Sequence, residues 1–207
     1  TSVAGNEKAI GYISLGALND TVKAVKVDGA EATVDNVKAG AYKLSRPFNI
    51  ATKGELTGVA KDFINFILSK EGQAVVTDNK YIAVDDAAEA FVSDGSSGQI
   101  AVGGSSSVSP VMEKLIEAYK SVNPNASIDL QTSDSTSGMT GAMDGTFAIG
   151  MASRELKDEE AAQLTGTAIA LDGIAVIVNP ANTIDELSMD QIKSIYVGDI
   201  TDWGDLA

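Results

Sequence analysis

The sequence predicts an α/β fold: a mixed, mostly parallel sheet flanked by helices. Three observations carry this. Short apolar runs of strand length alternate with segments whose apolar residues recur at helical spacing. Turn signals rich in glycine, serine, asparagine and proline fall between these segments. With 44% hydrophobic and 21% charged residues over 207 positions, the chain has material for a sizeable core, in one large domain or two small ones.

Taken in order, Ile10 to Leu15 and Val22 to Val27 read as strands, and Thr33 to Ala39 as a helical turn closed by Gly40. Phe48 to Thr52 is a third strand. Gly58 to Leu68 is a helix with Val59, Phe63, Ile64 and Ile67 on one face. Ser69 caps a second helix running to about Thr77. The polar, small-residue stretch "DDAAEAFVSDGSSG", residues 85 to 98, reads as a linker, or else as a long surface loop. Beyond it, Ile100 to Val102 is a strand. Pro110 to Val122 is a helix striped by Val111, Leu115, Ala118 and Val122. Ile128 to Gln131 and Phe147 to Met151 are strands, with a helix starting near Ser137 between them and another near Asp158 after them. The apolar run "TAIALDGIAVIVNP" is two strands or one long bent one. Ser188 with Gln191 forms a capping box, and Leu187 can staple against Ile192.

Composition narrows the chemistry. The net charge is −14, so the backbone of a nucleic acid and an anionic membrane surface are both repelled. Without a single cysteine or histidine, the chain has no disulfides, thiolate zinc sites, thiol nucleophiles or Ser-His-Asp arrangements. No stretch approaches the ~20 apolar residues of a membrane span. No signal peptide opens the chain, and Thr1 reads as a cut end.

Candidate chemistry lies in three loops. Ligands of open α/β sheets sit beyond the carboxyl ends of strands, where helix N-termini offer free N–H groups and partial positive charge. "GGSSSVSP" runs from strand to loop to helix and brings Ser106 and Ser107; "QTSDSTSGM" brings Ser135; "GMASRELKDEE" brings Ser153 and Arg154. Three strand ends would converge on one small polar site suited to an anion. Each of these residues also has a plainer reading. Serine or aspartate before a helix is an ordinary N-cap, and Arg154 can pair with Glu155 or Asp158 on the surface. A Ser-Lys hydrolase is a further alternative, but no G-x-S-x-G elbow occurs and no lysine has the spacing.

At these residues the chain resembles the phosphate-binding proteins of bacterial phosphate ABC transporters, receptors of the type II periplasmic-binding-protein family. "GGSSSVSPVMEKLIEAYKSVNP", "IGMASRELKDEE", "ALDGIAVIVNP" and "IKSIYVGDITDW" resemble that family's N-terminal half. "AIGYISLGAL", "VDGAEATVDNVKAGAYKLSRPF" and "AKDFINFILSKEGQAVV" resemble its C-terminal half. The order of the halves is reversed, as in a circular permutant, a tandem of two modules, or a chain whose other lobe comes from elsewhere. The family's middle, with its arginine-bearing Gly-Ser-Gly-Thr segment, has no counterpart.

The resemblance implies one principal lobe over 19–180, its halves 19–84 and 99–180 joined by the linker 85–98. Residues 1–18 and 181–207 would be stumps of the second lobe, with the hinge crossovers "IGYISL" and "GIAVIVN". It implies an extracytoplasmic receptor, lipid-anchored in the parent protein, that binds inorganic phosphate and delivers it to an ABC permease, with no catalysis and no cofactor. Ser106, Ser107, Ser135 and Ser153 match the family's phosphate contacts, with Thr136 and Ser137 as loop neighbours. Arg154 stands where some members carry an aspartate, and Asp134 where glycine is common. A second lobe or a second copy, as a dimer or tandem, would complete the cleft. The alternatives are a lobe with little binding of its own and a receptor for another tetrahedral oxyanion such as sulfate.

Overall fold

The computed structural model describes residues 2–206, so Thr1, read above as a cut end, lies outside the described residues. In chain order the elements are β1 (Ile10–Ser14), β2 (Lys23–Ala24), β3 (Lys26–Val27), α1 (Val34–Lys38), β4 (Ser45–Thr52), α2 (Gly58–Leu68), α3 (Lys70–Asp78) and β5 (Gly98–Ser105). There follow α4 (Ser109–Val122), β6 (Ala126–Ser133), α5 (Ser135–Asp144), β7 (Ile149–Ala152), α6 (Asp158–Ala161), β8 (Thr165–Val178), β9 (Glu186–Leu187) and α7 (Met189–Val197). The chain divides into two compact units, Arg46–Leu171 and the two ends together, Thr1–Ser45 with Asp172–Ala207.

The Arg46–Leu171 unit is a helix-covered sheet in the order β8 (its first half), β4, β7, β5, β6. β5 runs parallel to both β6 and β7, and β4 runs antiparallel to β7. Strand residues alternate between faces. Phe48, Ile50, Val102, Ile149 and Met151 join α2, α3 and α4 in the main core, while Ala51 and Ala152 face Met139 and Ala142 of α5. Ser69 ends one helix and starts the next: its hydroxyl donates to Phe66 O at 2.7 Å and accepts from Gly72 N at 3.3 Å. The stripe of α4 lies one position off the predicted one. Val111, Met112, Leu115 and Tyr119 are buried, whereas Val122 is half exposed.

Glycine hides the true length of β5. Val102 is apolar, but Gly98, Gly103 and Gly104 have no strand propensity. Their place is fixed by an eight-residue parallel register with β6, from Gly98↔Ala126 to Ser105↔Ser133.

The polar stretch from Asp85 to Ser97 has no regular structure, yet it is sewn to the unit. Lys70 N donates to Glu89 O (2.8 Å) and Phe91 N to the Glu71 carboxylate (2.7 Å). The Phe91 ring meets Phe66 and Tyr119 edge-on. Asp62, almost fully buried, accepts from Ser93 Oγ, Asp94 N, Tyr119 Oη and Asn123 Nδ2 at 2.6–3.1 Å. Burial alone would raise the pKa of this carboxyl. The four donors outweigh it and hold the pKa below the usual aspartate value. The same burial and bond push the Tyr119 phenol well up.

In the unit formed by the ends, β1 pairs antiparallel with Ile174–Val178 of β8, and β2 pairs with Ile177 and Val178. The predicted strand from Val22 to Val27 is broken in two. Val25 N bonds Val176 O, and Lys26 N then turns to Asp185 O, so β3 joins β9 in a separate parallel pair. The two ends hold each other: Asn179 Nδ2 donates to Val3 O and Ala4 O, Asn182 Nδ2 to Glu7 O, and Trp203 Nε1 to Lys8 O. The predicted capping box of Ser188 and Gln191 is present on α7. The apolar run after Leu164 is a single fourteen-residue strand, β8.

Candidate functional site

β7, β5 and β6 point the same way and end beside one another, at Ala152, Ser105 and Ser133. The loops that leave them carry Ser106 and Ser107, Asp134 and Ser135, and Ser153 and Arg154. All lie in the Arg46–Leu171 unit.

Glycines set the spacing. A Cβ on Gly104, whose φ is +137°, would lie 2.3 Å from Met151 O and 3.0 Å from Gly138 Cα; one on Gly150 would lie 2.5 Å from Gly138 O. The start of α5 therefore rests directly on the backbones of β5 and β7. A Cβ on Gly103 would likewise lie 2.3 Å from the Phe147 ring.

Hydroxyls knit the loops together. The buried Ser105 donates its O–H to Ser153 Oγ (3.0 Å) and accepts from Ser107 N (3.3 Å). Ser153 N donates to Ser135 Oγ (3.2 Å). Ser106 N bonds Ser133 O (2.9 Å), and the buried Ser109 hydroxyl pairs with Thr132 Oγ1 (2.8 Å). Ser106 is exposed and Ser107, Ser135 and Ser153 are half-buried.

The two helix starts differ. Asp134 caps α5: Oδ1 accepts from Thr136 N (2.8 Å) and Ser137 N (3.0 Å), and Oδ2 from the Ser137 hydroxyl (2.7 Å). These bonds, the Ser137 hydroxyl first, hold the Asp134 carboxyl below its usual range. Ser137 thus turns its proton to Asp134. α4 starts without a side-chain cap, behind the turn made by Ser106 to Val108, so its first turn carries the uncompensated end of a helix dipole.

Arg154 is committed elsewhere than to Glu155 or Asp158 side chains. Its guanidinium grips buried Glu160 with two bonds, 2.7 and 2.8 Å, and reaches Thr136 Oγ1 at 3.4 Å. The Glu160 bonds raise the pKa of Arg154 and, with the Lys157 N–H, hold that of Glu160 down despite burial. Sequence reasoning named neither Ser105, Ser109 nor Glu160. Nothing in a run of three serines marks which one faces inward, whereas an alternation count from Val102 along β5 places Ser105 on the opposite face of the strand from it.

Among known proteins, the PBP superfamily domain matches residues 89–207. The chain is 52% identical to phosphate-binding protein PstS 2 of Streptococcus agalactiae over 209 residues, covering all of this chain and 71% of that protein. It is 48% identical to PstS 2 of Streptococcus pneumoniae over 203 residues, 98% of this chain and 70% of the relative. A crystal structure of a phosphate-binding protein of a phosphate ABC transporter from S. pneumoniae superposes with a TM-score of 0.88 at 48% identity, over the whole chain and 80% of that structure. The PstS of Bacillus subtilis, 30% identical, aligns over only 53% of this chain. The streptococcal relatives align over all or nearly all of this chain and so share its order of segments. The chain therefore belongs to the family of phosphate-binding solute receptors of ABC transporters.

Proposed function

We propose that the chain binds inorganic phosphate beyond the ends of β5, β6 and β7, through the hydroxyls of Ser106, Ser107, Ser135 and Ser153 and the open N-terminus of α4. The observation that carries this reading is that the loops bearing these serines leave three adjacent, parallel strand ends beside an uncapped helix. Neutral donors held by backbone contacts suit a small oxyanion with many strong acceptor sites. The −14 net charge acts mainly on encounter rate, while local dipoles hold the ligand. Arg154 contributes a reduced charge, offset by Glu160, and with Thr136 and Ser137 frames the α5 side of the site.

In this reading the protein is an extracytoplasmic receptor that performs no catalysis. It hands phosphate to a membrane permease and is held at the cell surface by a lipid anchor in the parent protein. A second lobe, or a second copy, closes over the bound anion.

Calorimetry tests the reading. The unaltered chain binds phosphate, and Ser135→Ala and Ser106→Ala each weaken it by about 2- to 10-fold, the net worth of one neutral hydrogen bond. Unchanged affinity in both variants would reduce these serines to loop and cap residues. Equal affinity for sulfate would make the site a general oxyanion receptor.

A further inference from the structure

We infer that Ser105, buried beneath the site, is a positioning residue that fixes the direction in which Ser153 offers its proton. The inference rests on the phosphate reading above and adds a residue to it. A serine hydroxyl has one proton to donate and lone pairs to accept with. Ser105 is 3% exposed and makes both kinds of bond within the protein: it accepts from Ser107 N at 3.3 Å and donates to Ser153 Oγ at 3.0 Å. Ser153 is therefore the acceptor of that bond, and its own proton is left to point outward.

The same polarity recurs one step along. Ser135 Oγ accepts from Ser153 N at 3.2 Å, which leaves the Ser135 proton unspent within this relay. By contrast, the proton of the exposed Ser137 hydroxyl is already given to Asp134. Two of the half-buried hydroxyls at the strand ends are thus set as donors by the protein behind them, before any ligand arrives. An oxyanion oxygen can accept from both without any hydroxyl having to turn, so little reorganisation opposes binding. Without Ser105, the Ser153 hydroxyl loses its fixed orientation and the Ser107 N–H loses its acceptor.

The test is a double-mutant cycle on the full chain, read by phosphate calorimetry with thermal melts as the folding control. Ser105→Ala is expected to weaken phosphate about three- to tenfold in the parent background. In a Ser153→Ala background the same change is expected to cost less than about twofold, because the residue it acts through is gone. Ser105→Cys, close in volume but a poor donor, should follow Ser105→Ala and serves if the alanine variant folds badly. An equal cost in both backgrounds, or parent-like affinity in the alanine or cysteine variant, overturns the role of Ser105 and leaves the phosphate site standing. Failure of the unaltered chain to bind phosphate overturns the site itself, and the role of Ser105 with it.

Discussion

At Gly104 the backbone takes φ +137° with the Met151 carbonyl 2.3 Å from where a Cβ would be. "GG" before a serine run suggests room for a ligand, but here the room is taken by α5, whose Gly138 sits against the same atoms. Gly104→Ala combines a conformation that L residues rarely adopt with a backbone clash, and should destabilise the fold by about 2–4 kcal/mol. Thermal melts with and without phosphate would check it; a variant as stable as the parent would show that α5 can move. The three serine loops were legible at this scale because strand end, hydroxyl and helix start recur three times. The buried residues were not. Ser105 differs from Ser106 only in which way the last strand residue faces, and Glu160 looks like any other acid in "KDEE".

Among elements, the stretch from Asp85 to Ser97 shows how composition misleads. It has the small, polar make-up of a linker, but Phe91 and the backbone at Asp94 are bound to neighbouring helices. The lone aromatic in the stretch and the buried acid of α2 were the two signals, and neither stands out without its partners 25 or more residues away in sequence. Asp62 is held below the usual aspartate range, so its contribution is fully present above the unfolded-state value near 4 and is lost as pH falls through that range. Glu160 behaves in the same sense. Asp62→Asn should therefore cost about 2–4 kcal/mol at pH 7, where Tyr119 Oη, Ser93 Oγ and Asp94 N lose a charged acceptor. Its melting temperature should also fall less steeply than the parent's between pH 6 and about pH 3. Parallel acid profiles would place the acid sensitivity elsewhere. The helices were read best: α2 was placed to the residue and α4 to within one, because apolar spacing, Ser69 and Pro110 all agree.

For the whole molecule, the exchanged order of the halves was visible in the sequence as family motifs in the wrong succession. The division of the chain at Ser45 and Asp172 was not, since β8 runs through Leu171 and Asp172 as one unbroken strand. The Arg46–Leu171 core draws Phe48, Phe63 and Ile67 from one side of the polar stretch and Val102, Leu115 and Ile149 from the other. Cutting the chain within residues 85–97 should therefore leave both pieces together on size exclusion under native conditions. Separation of the pieces into independently folded parts would contradict the shared core.

The strand order also bears on how the protein is made. β4 is synthesised early in its unit, yet its two neighbours in the sheet, β7 and β8, are among the last strands to leave the ribosome. Until they emerge, Phe48 and Ile50 have no sheet to sit in, and the nascent chain carries exposed apolar surface of the kind that engages chaperones. The serine loops acquire their spacing only when β7 docks on β5. If the serine loops hold phosphate as proposed, a chain caught midway through synthesis would bind none, and the ligand would load only where folding is completed.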